Sequence, residues 1–459
     1  MSALWTSAEA ESATLGKASR PFAVNGLSID TRTLKEGDLY VAVKGDNRDG
    51  HDFVRAAFKA KAAAALVSRR PEGLTLDGAD GALLTVANTQ RALEDLACAA
   101  RARSDAKIVA VTGSAGKTTT KETLRLAFGA LGPTHASSGS LNNHWGVPLS
   151  LASLSREAAF GVFEIGMNHF GEIHALVPFV RPHVALVTTV APAHLEFFGT
   201  CEAIADAKSE IFEGVAPGGA ALIPADNPYA ERLIARAKQC HVARVLTFGG
   251  KPGSDALLLA YDESGEGARI KADIIGQPVE FRIGAPGRHI AANALGALLS
   301  VAAADGDVLN AAAALKEFTA LKGRGARFVA GGVEVIDESY NANPASMAAA
   351  LALLGRAEGR RIAVLGDMLE MGPDAPAHHA GLAAAVEAER VDLVFLCGPL
   401  MKALWDVLPA QQRTAYAPSS AVLAPGVLST LKAGDTVLVK GSNGSRMSVI
   451  IEALKARTG

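Results

Sequence analysis

The chain has 459 residues, more than one hydrophobic core organises, and at about 100–200 residues per domain it should divide into about three. Its 45 Lys+Arg and 47 Asp+Glu give a net charge of −2 with no long block of either sign, which argues against an extended nucleic-acid or membrane surface and leaves any anion site to local chemistry. The 4 cysteines, Cys98, Cys201, Cys240 and Cys397, lie far apart without a C-x-x-C pair, against both a disulfide framework and a thiolate zinc site.

The amino-terminal MSALWTSAEAESATLG lacks a basic stretch leading into an apolar core, and no later apolar run approaches the ~18 residues of a membrane span. The expected location is the cytoplasm, without nucleic-acid or membrane partners, and the expected state is a monomer. Residues 1–104 read as a small α/β unit, with strands at Asp38–Val43 and Ala65–Val67 and an alanine-rich helix after Asp49-Gly50-His51. From Lys107 apolar strands alternate with helix starts, in IVAVT, VFEIG and VALVTTV, which predicts a mainly parallel sheet across residues 105–320. A second alternating pattern occupies 321–459, with strands at Val333–Ile336, Ile362–Leu365, Leu393–Leu396 and Thr436–Val439. The joint falls at Leu321–Gly325. The fold class is α/β in three domains.

The central unit opens with VAVTGSAGKTTTKETL, Val109 to Leu124. Gly113 and Gly116 let the backbone turn its N–H groups toward an anion across Ser114 and Ala115, Lys117 adds charge, and Thr118 offers a hydroxyl to magnesium. The helix predicted from Thr119 to Phe128 adds its positive dipole end. The full phosphate-loop pattern needs a glycine where Val111 stands, so this is a shortened G-x-x-G-K-T. The loop alone suits a kinase, a GTPase or a ligase.

Ligands of an open parallel sheet gather beyond the carboxyl ends of its strands. Glu164 ends one such strand and His194 follows another by a short turn, so a carboxylate oxygen and an imidazole are candidate magnesium ligands near Lys117. His169 and His174 compete for the second role. Lys208 shares a helical face with Ile204, Ile211 and Phe212, which puts an ammonium among core residues. It either snorkels to the surface, reaches a phosphate, or reacts with CO₂ to give a carbamate that ligates magnesium.

In this order, Gly113-x-x-Gly116-Lys117-Thr118-Thr119, Glu164, His194 and Lys208 resemble the Mur ligases, ATP-dependent amino-acid and peptide ligases of bacterial cell-wall synthesis. The resemblance covers nearly the whole chain. It implies an amino-terminal uridine-nucleotide domain, a central ATPase domain and a Rossmann-like carboxyl-terminal domain. It also implies ATP and two magnesium ions as cofactors, the metal being held by Thr118, Glu164, His194 and Lys208. Asn293, in GRHIAANALGAL, matches the adenine-contacting asparagine, although Ile290 stands where the family has another asparagine. Arg324 and Asp337 match positions that contact nucleotide phosphate and ribose.

Within the family, YNANP (Tyr340–Pro344), LGDMLEMG (Leu365–Gly372) and SLNNHWGVPL (Ser140–Leu149) resemble the branch whose substrates are a UDP-N-acetylmuramoyl-tripeptide and D-alanyl-D-alanine. Asn142, Asn143, Tyr340, Asn341 and Asn343 become candidate substrate residues, as do Thr31 and Arg32 of IDTR near the uracil and diphosphate. The sister branch carries Asp-Asn-Pro-Arg in its last domain, whereas Asp226-Asn227-Pro228 here is followed by Tyr229 and lies centrally. Lys440-Gly441-Ser442 resembles the family's closing strand and loop. The implied chemistry is an acyl phosphate formed on the tripeptide and attacked by the dipeptide amine, with Gly323 and Gly325 as hinges. Folate-type polyglutamate ligases, a phosphate-loop kinase and a nucleotide-gated switch are the alternatives.

Overall fold

A computed structural model describes residues 3–45, 47–71, 81–264 and 267–457, leaving Asp46 of the GDNRDG string outside. Its architecture is three main sheets flanked by helices. The first has the strand order Lys17–Ala18, Ala82–Thr85, Ala64–Val67, Leu39–Val41, Leu27–Ser28, and only its first pair is antiparallel. The predicted helix after His51 starts as a 3₁₀ turn, Gly50–Phe53, before α-helix Val54–Lys59.

The central sheet has nine strands. Strand Lys107–Thr112 lies between Phe160–Glu164 and Val184–Val187, parallel to both, with Glu164 level with Val111 and Val187 level with Thr112. These carboxyl ends therefore meet at one edge, because parallel strands of matched register deliver their last residues to the same side. The far edge departs from the parallel expectation: Ala256–Ser264, Gly267–Ile274 and Gln277–Ile283 form an antiparallel meander. Its strands alternate buried and exposed residues, as a sheet covered on one face should.

The third sheet has six strands, with Ala326–Ala330 antiparallel to Val333–Glu338 and the rest parallel: Thr436–Lys440, Arg361–Gly366, Leu393–Cys397 and Arg413–Ala417. Helix Pro344–Leu354 starts cleanly because Asn343 accepts from Ser346 N at 2.8 Å and Pro344 needs no N–H donor at the first turn.

Packing joins these units unequally. One apolar cluster runs from Leu4, Trp5 and Leu93 of the first unit to Leu151, Ile204 and Leu233 of the second. Trp5 Nε1 also donates to Ala152 O at 2.9 Å, and Arg156 pairs with Glu9 at 2.6 Å. The third unit has apolar clusters of its own. It meets the centre through Leu195, which packs on one of them, and through ion pairs His194–Glu370 and Arg356–Glu263. Among the described residues no helix is long and apolar enough to cross a membrane.

Candidate functional site

Strand Lys107–Thr112 runs directly into the glycine loop, and the helix begins at Lys117 and continues to Gly129. Leu124 and Phe128 on its inner face are fully buried, each contributing about 1.5–3 kcal/mol of hydrophobic stabilisation. Gly113 has φ +154° and Gly116 φ +79°, where a side chain is strained. A Cβ on Gly113 would also lie 1.8 Å from Thr188 Oγ1, and one on Gly116 3.0 Å from Asn293 Nδ2. The loop is clamped by the chain opposite. Ser114 N donates to Thr189 O at 2.9 Å, Ser114 Oγ to Ala191 O at 2.9 Å, and Thr188 Oγ1 to Ala115 O at 2.5 Å. Lys117 folds back so that its Nζ donates to Gly113 O at 2.7 Å, and burial holds its pKa below the usual lysine value.

Beside it, Glu164 Oε2 accepts from Thr118 Oγ1 at 2.8 Å and Oε1 from Asn142 Nδ2 at 2.7 Å. The carboxylate is 1% exposed, so its two partners, rather than water, satisfy its oxygens. Lys121 buttresses the segment carrying Asn142: its buried Nζ donates to Ser137 O at 2.7 Å and Gly139 O at 2.8 Å.

A cavity of about 560 Å³ opens over this floor. Ser114, Ala115, Gly116, Lys117 and Thr119 line it, with Asn142, Glu164, His194 and Asn293 from the same unit. Arg324, Tyr340, Asn341 and Asn343 close it from the third unit. The Arg324 guanidinium lies 3.7 Å from the Tyr340 ring centroid, while Nη2 donates to Ser140 Oγ at 3.2 Å across the joint. Lys440, 1% exposed, donates to Glu338 Oε2 at 3.1 Å and to Asn341 O at 2.9 Å, which holds the YNANP turn against the wall. His289 also lines the cavity, and burial pushes its pKa down.

Most of the other expected residues have local partners of their own. Asp337 does not line the cavity; its oxygens accept from Gly323 N at 3.0 Å and Ser339 Oγ at 2.6 Å, so it organises the joint from below. Asn143 caps a helix instead, accepting from Gly146 N at 2.9 Å. Thr31 and Arg32 lie on the first unit, where Arg32 pairs with Asp30 at 2.6 Å. His169 and His174 pair with Glu172 at 3.2 Å and Glu213 at 2.5 Å, off the cavity wall. Lys208 does not snorkel. It is 2% exposed, its side chain makes no hydrogen bond among the described residues, and burial, reinforced by the charge of Lys117, holds its pKa well below the usual value. Asp226-Asn227-Pro228 proves to be cavity wall, with Asn227 Nδ2 bracing Val190 O at 2.8 Å.

Glu370, Ser140 and Thr188 were not singled out in the sequence. Glu370 and Ser140 lay inside the LGDMLEMG and SLNNHWGVPL strings, but their partners His194 and Arg324 are 176 and 184 positions away, beyond any local period. The His194 contact holds the Glu370 carboxyl below its ordinary pKa.

Among the described residues no three His, Cys, Asp or Glu side chains cluster as a metal cage. The adjacent carboxylate and hydroxyl of Glu164 and Thr118 are hard oxygen donors, and they fit a magnesium ion that keeps water and phosphate oxygens as its other ligands.

A strand, a shortened phosphate loop, a helix and a neighbouring strand-end carboxylate define a nucleotide-dependent phosphoryl-transfer protein of the α/β class. Comparison with known proteins narrows this. Residues 23–101 match the "Mur ligase family, catalytic domain", 111–301 the "Mur ligase middle domain" and 323–443 the "Mur ligase, glutamate ligase domain". The chain belongs to the Mur ligase family. It is similar to the UDP-N-acetylmuramoyl-tripeptide–D-alanyl-D-alanine ligase of Escherichia coli K12, 34% identical over 94% of each chain. The ligase of the same name from Rickettsia prowazekii is 32% identical over 93% of this chain and 94% of its own. Among solved structures, MurF from Acinetobacter baumannii superposes with TM-score 0.85 at 29% identity, covering 98% of this chain and 99% of that one. MurF ligase of Thermotoga maritima, in complex with ADP, gives 0.77 at 25%, covering 95% and 98%. A folylpolyglutamate synthase of Mycobacterium tuberculosis, at 0.63 and 18%, shares the fold.

Proposed function

We propose that the protein joins D-alanyl-D-alanine to a UDP-N-acetylmuramoyl-tripeptide with ATP, yielding the pentapeptide precursor, ADP and phosphate in the cytoplasm. Supporting this is one observation above others: the Lys117 and Thr118–Glu164 floor faces Arg324, Tyr340 and Asn341 of a separately cored unit across a single cavity. The relatives that bear this activity in their names span the chain at 34% and 32% identity.

On this reading residues 1–104 bind the uridine nucleotide, with Thr31 and Arg32 beside it, 105–320 bind ATP, and 321–459 bind the dipeptide. The loop amides from Gly113 to Thr119 hold phosphates, Lys117 exchanges Gly113 O for a phosphate oxygen, Asn293 contacts adenine, and Arg324 is held by Tyr340 over the phosphates. A carboxylate is a poor acylating agent because oxide is a poor leaving group. The tripeptide carboxylate therefore attacks the γ-phosphate, giving an acyl phosphate and ADP, and the dipeptide amine then displaces phosphate to form the amide. Thr118, Glu164 and His194 would hold magnesium, which neutralises charge on the transferring phosphoryl group when bound. Burial keeps the Lys208 amine neutral, the form that adds CO₂ with loss of a proton, and the resulting carbamate anion would serve as a further metal ligand. Meeting of the second and third units excludes water that would hydrolyse the acyl phosphate.

Mass spectrometry of a reaction containing UDP-N-acetylmuramoyl-tripeptide, ATP, Mg²⁺ and D-alanyl-D-alanine should show the pentapeptide with stoichiometric ADP. Product only with a folate and glutamate, or ADP release indifferent to the dipeptide, would reject the assignment.

A further inference from the structure

His194 occupies the left-handed start, φ +58°, of the short helix Leu195–Phe198, with its ring on the cavity wall. Its Nδ1 contacts Glu370 Oε2, and the side chains are 20% and 41% exposed. The main chains meet as well, with Glu196 N donating to Glu370 O at 3.2 Å. Glu370 comes from the third unit, on the loop that follows strand Arg361–Gly366, and it too is left-handed at φ +60°.

The Glu370 loop is braced from behind. Asp367 Oδ1 accepts from Met401 N at 2.9 Å, Met368 N donates to the fully buried His379 Nε2 at 2.9 Å, and Leu369 N donates to Ser442 Oγ at 2.9 Å. A stiff arm of one unit thus presents a carboxylate to an imidazole of another. A carboxylate at Nδ1 selects the tautomer protonated there and leaves the Nε2 lone pair available for a metal, while fixing the ring plane.

We infer that Glu370 is a positioning residue for His194: by gripping Nδ1 it presents Nε2 to the magnesium site, and it does so only when the third unit is docked. The inference rests on the reading of His194 as a magnesium ligand. It links the two halves of the reaction, because the unit that carries the dipeptide also finishes the metal site at which ATP reacts. By thermodynamic reciprocity, metal binding in turn favours docking.

The test uses the full-length chain with Glu370→Ala, the apolar Glu370→Leu and the shortened Glu370→Asp. Mn²⁺ binding to the ADP-loaded protein, followed by electron paramagnetic resonance, should weaken about 10- to 100-fold in Glu370→Ala and less in Glu370→Asp, with metal-free ADP affinity unchanged. Nitrogen-15 spectra of histidine-labelled protein should show His194 protonated at Nδ1 in the native chain and a tautomer mixture in Glu370→Ala. Native Mn²⁺ affinity and an unchanged tautomer in the variants would overturn the inference. So would a raised dipeptide KM with native metal affinity, which would make Glu370 a direct substrate contact. If Glu370→Ala fails to fold, Glu370→Leu, which keeps most of the bulk and offers Nδ1 no acceptor, carries the same decision. Absence of pentapeptide from the native protein would reject the ligase reading while leaving both binding readouts able to judge Glu370.

Discussion

Thr118 Oγ1 donates to Glu164 Oε2 at 2.8 Å, joining the first turn of the phosphate-loop helix to the end of the neighbouring strand with both side chains more than nine-tenths buried. Removing Glu164 affects two things at once. Glu164→Ala leaves the Thr118 hydroxyl and the Asn142 amide without their acceptor and should destabilise the fold by about 1–3 kcal/mol in urea titration. Glu164→Gln can keep one of these bonds but loses the charge, so turnover at saturating Mg²⁺ should fall by about 100-fold with far less loss of stability. Near-native turnover in Glu164→Gln would remove the carboxylate from the metal site.

The glycine loop gives a steric prediction. Gly113→Ala forces a Cβ to within 1.8 Å of Thr188 Oγ1 at φ +154°. Strain of about 1–3 kcal/mol should appear as a lower urea midpoint, with ADP binding lost in calorimetry. Thr188→Ala in the same chain should recover part of the stability, because the clashing hydroxyl is gone; no recovery would place the strain in the backbone alone.

Lys208 makes stability depend on pH. Burial first, and the charge of Lys117 second, hold its folded pKa well below the ordinary lysine value of 10.5. Between that depressed value and 10.5 the unfolded chain binds a proton that the folded chain does not, so stability should rise with pH through this window and fall as pH drops through it. Lys208→Met removes the difference and should flatten the slope of melting temperature above neutral pH in CO₂-free buffer. Parallel slopes in the two proteins would show Lys208 charged in the fold. Partial rescue of Lys208→Ala activity by bicarbonate or short carboxylic acids would support the carbamate.

Tyr340 is assigned through Arg324. The guanidinium sits 3.7 Å from the ring centroid, an arrangement worth about 0.5–1 kcal/mol at a partly exposed site. Tyr340→Ala should therefore weaken ADP binding roughly two- to fivefold, and Tyr340→Phe should bind normally because the ring face remains. Equal weakening by both substitutions would assign the effect to the hydroxyl and reject the stacking role.

Much of this protein is legible in its sequence. The strands at Val333–Glu338, Arg361–Gly366, Leu393–Cys397 and Thr436–Lys440 lie within two residues of their sequence-predicted bounds; the last three are buried parallel strands that read as nearly continuous apolar runs, and the first shows the alternation of a strand with one more exposed face. The phosphate loop was equally plain, since its glycines, lysine and threonine fall within one short stretch, Gly113 to Thr118, and their backbone geometry is local. The antiparallel meander at Ala256–Ile283 went unseen because its polar alternation lacked the strand-then-helix rhythm.

The sequence alone determined which residue types could bind phosphate and roughly where the chain would turn, properties set by neighbours a few positions apart. Only the tertiary structure decided which side chains face the cavity. It turned Asp337 and Asn143 to backbone donors, buried Lys208 and brought Glu370 to His194. Such outcomes depend on sheet register and on how separately cored units dock, and neither is encoded in the spacing of residues along the chain.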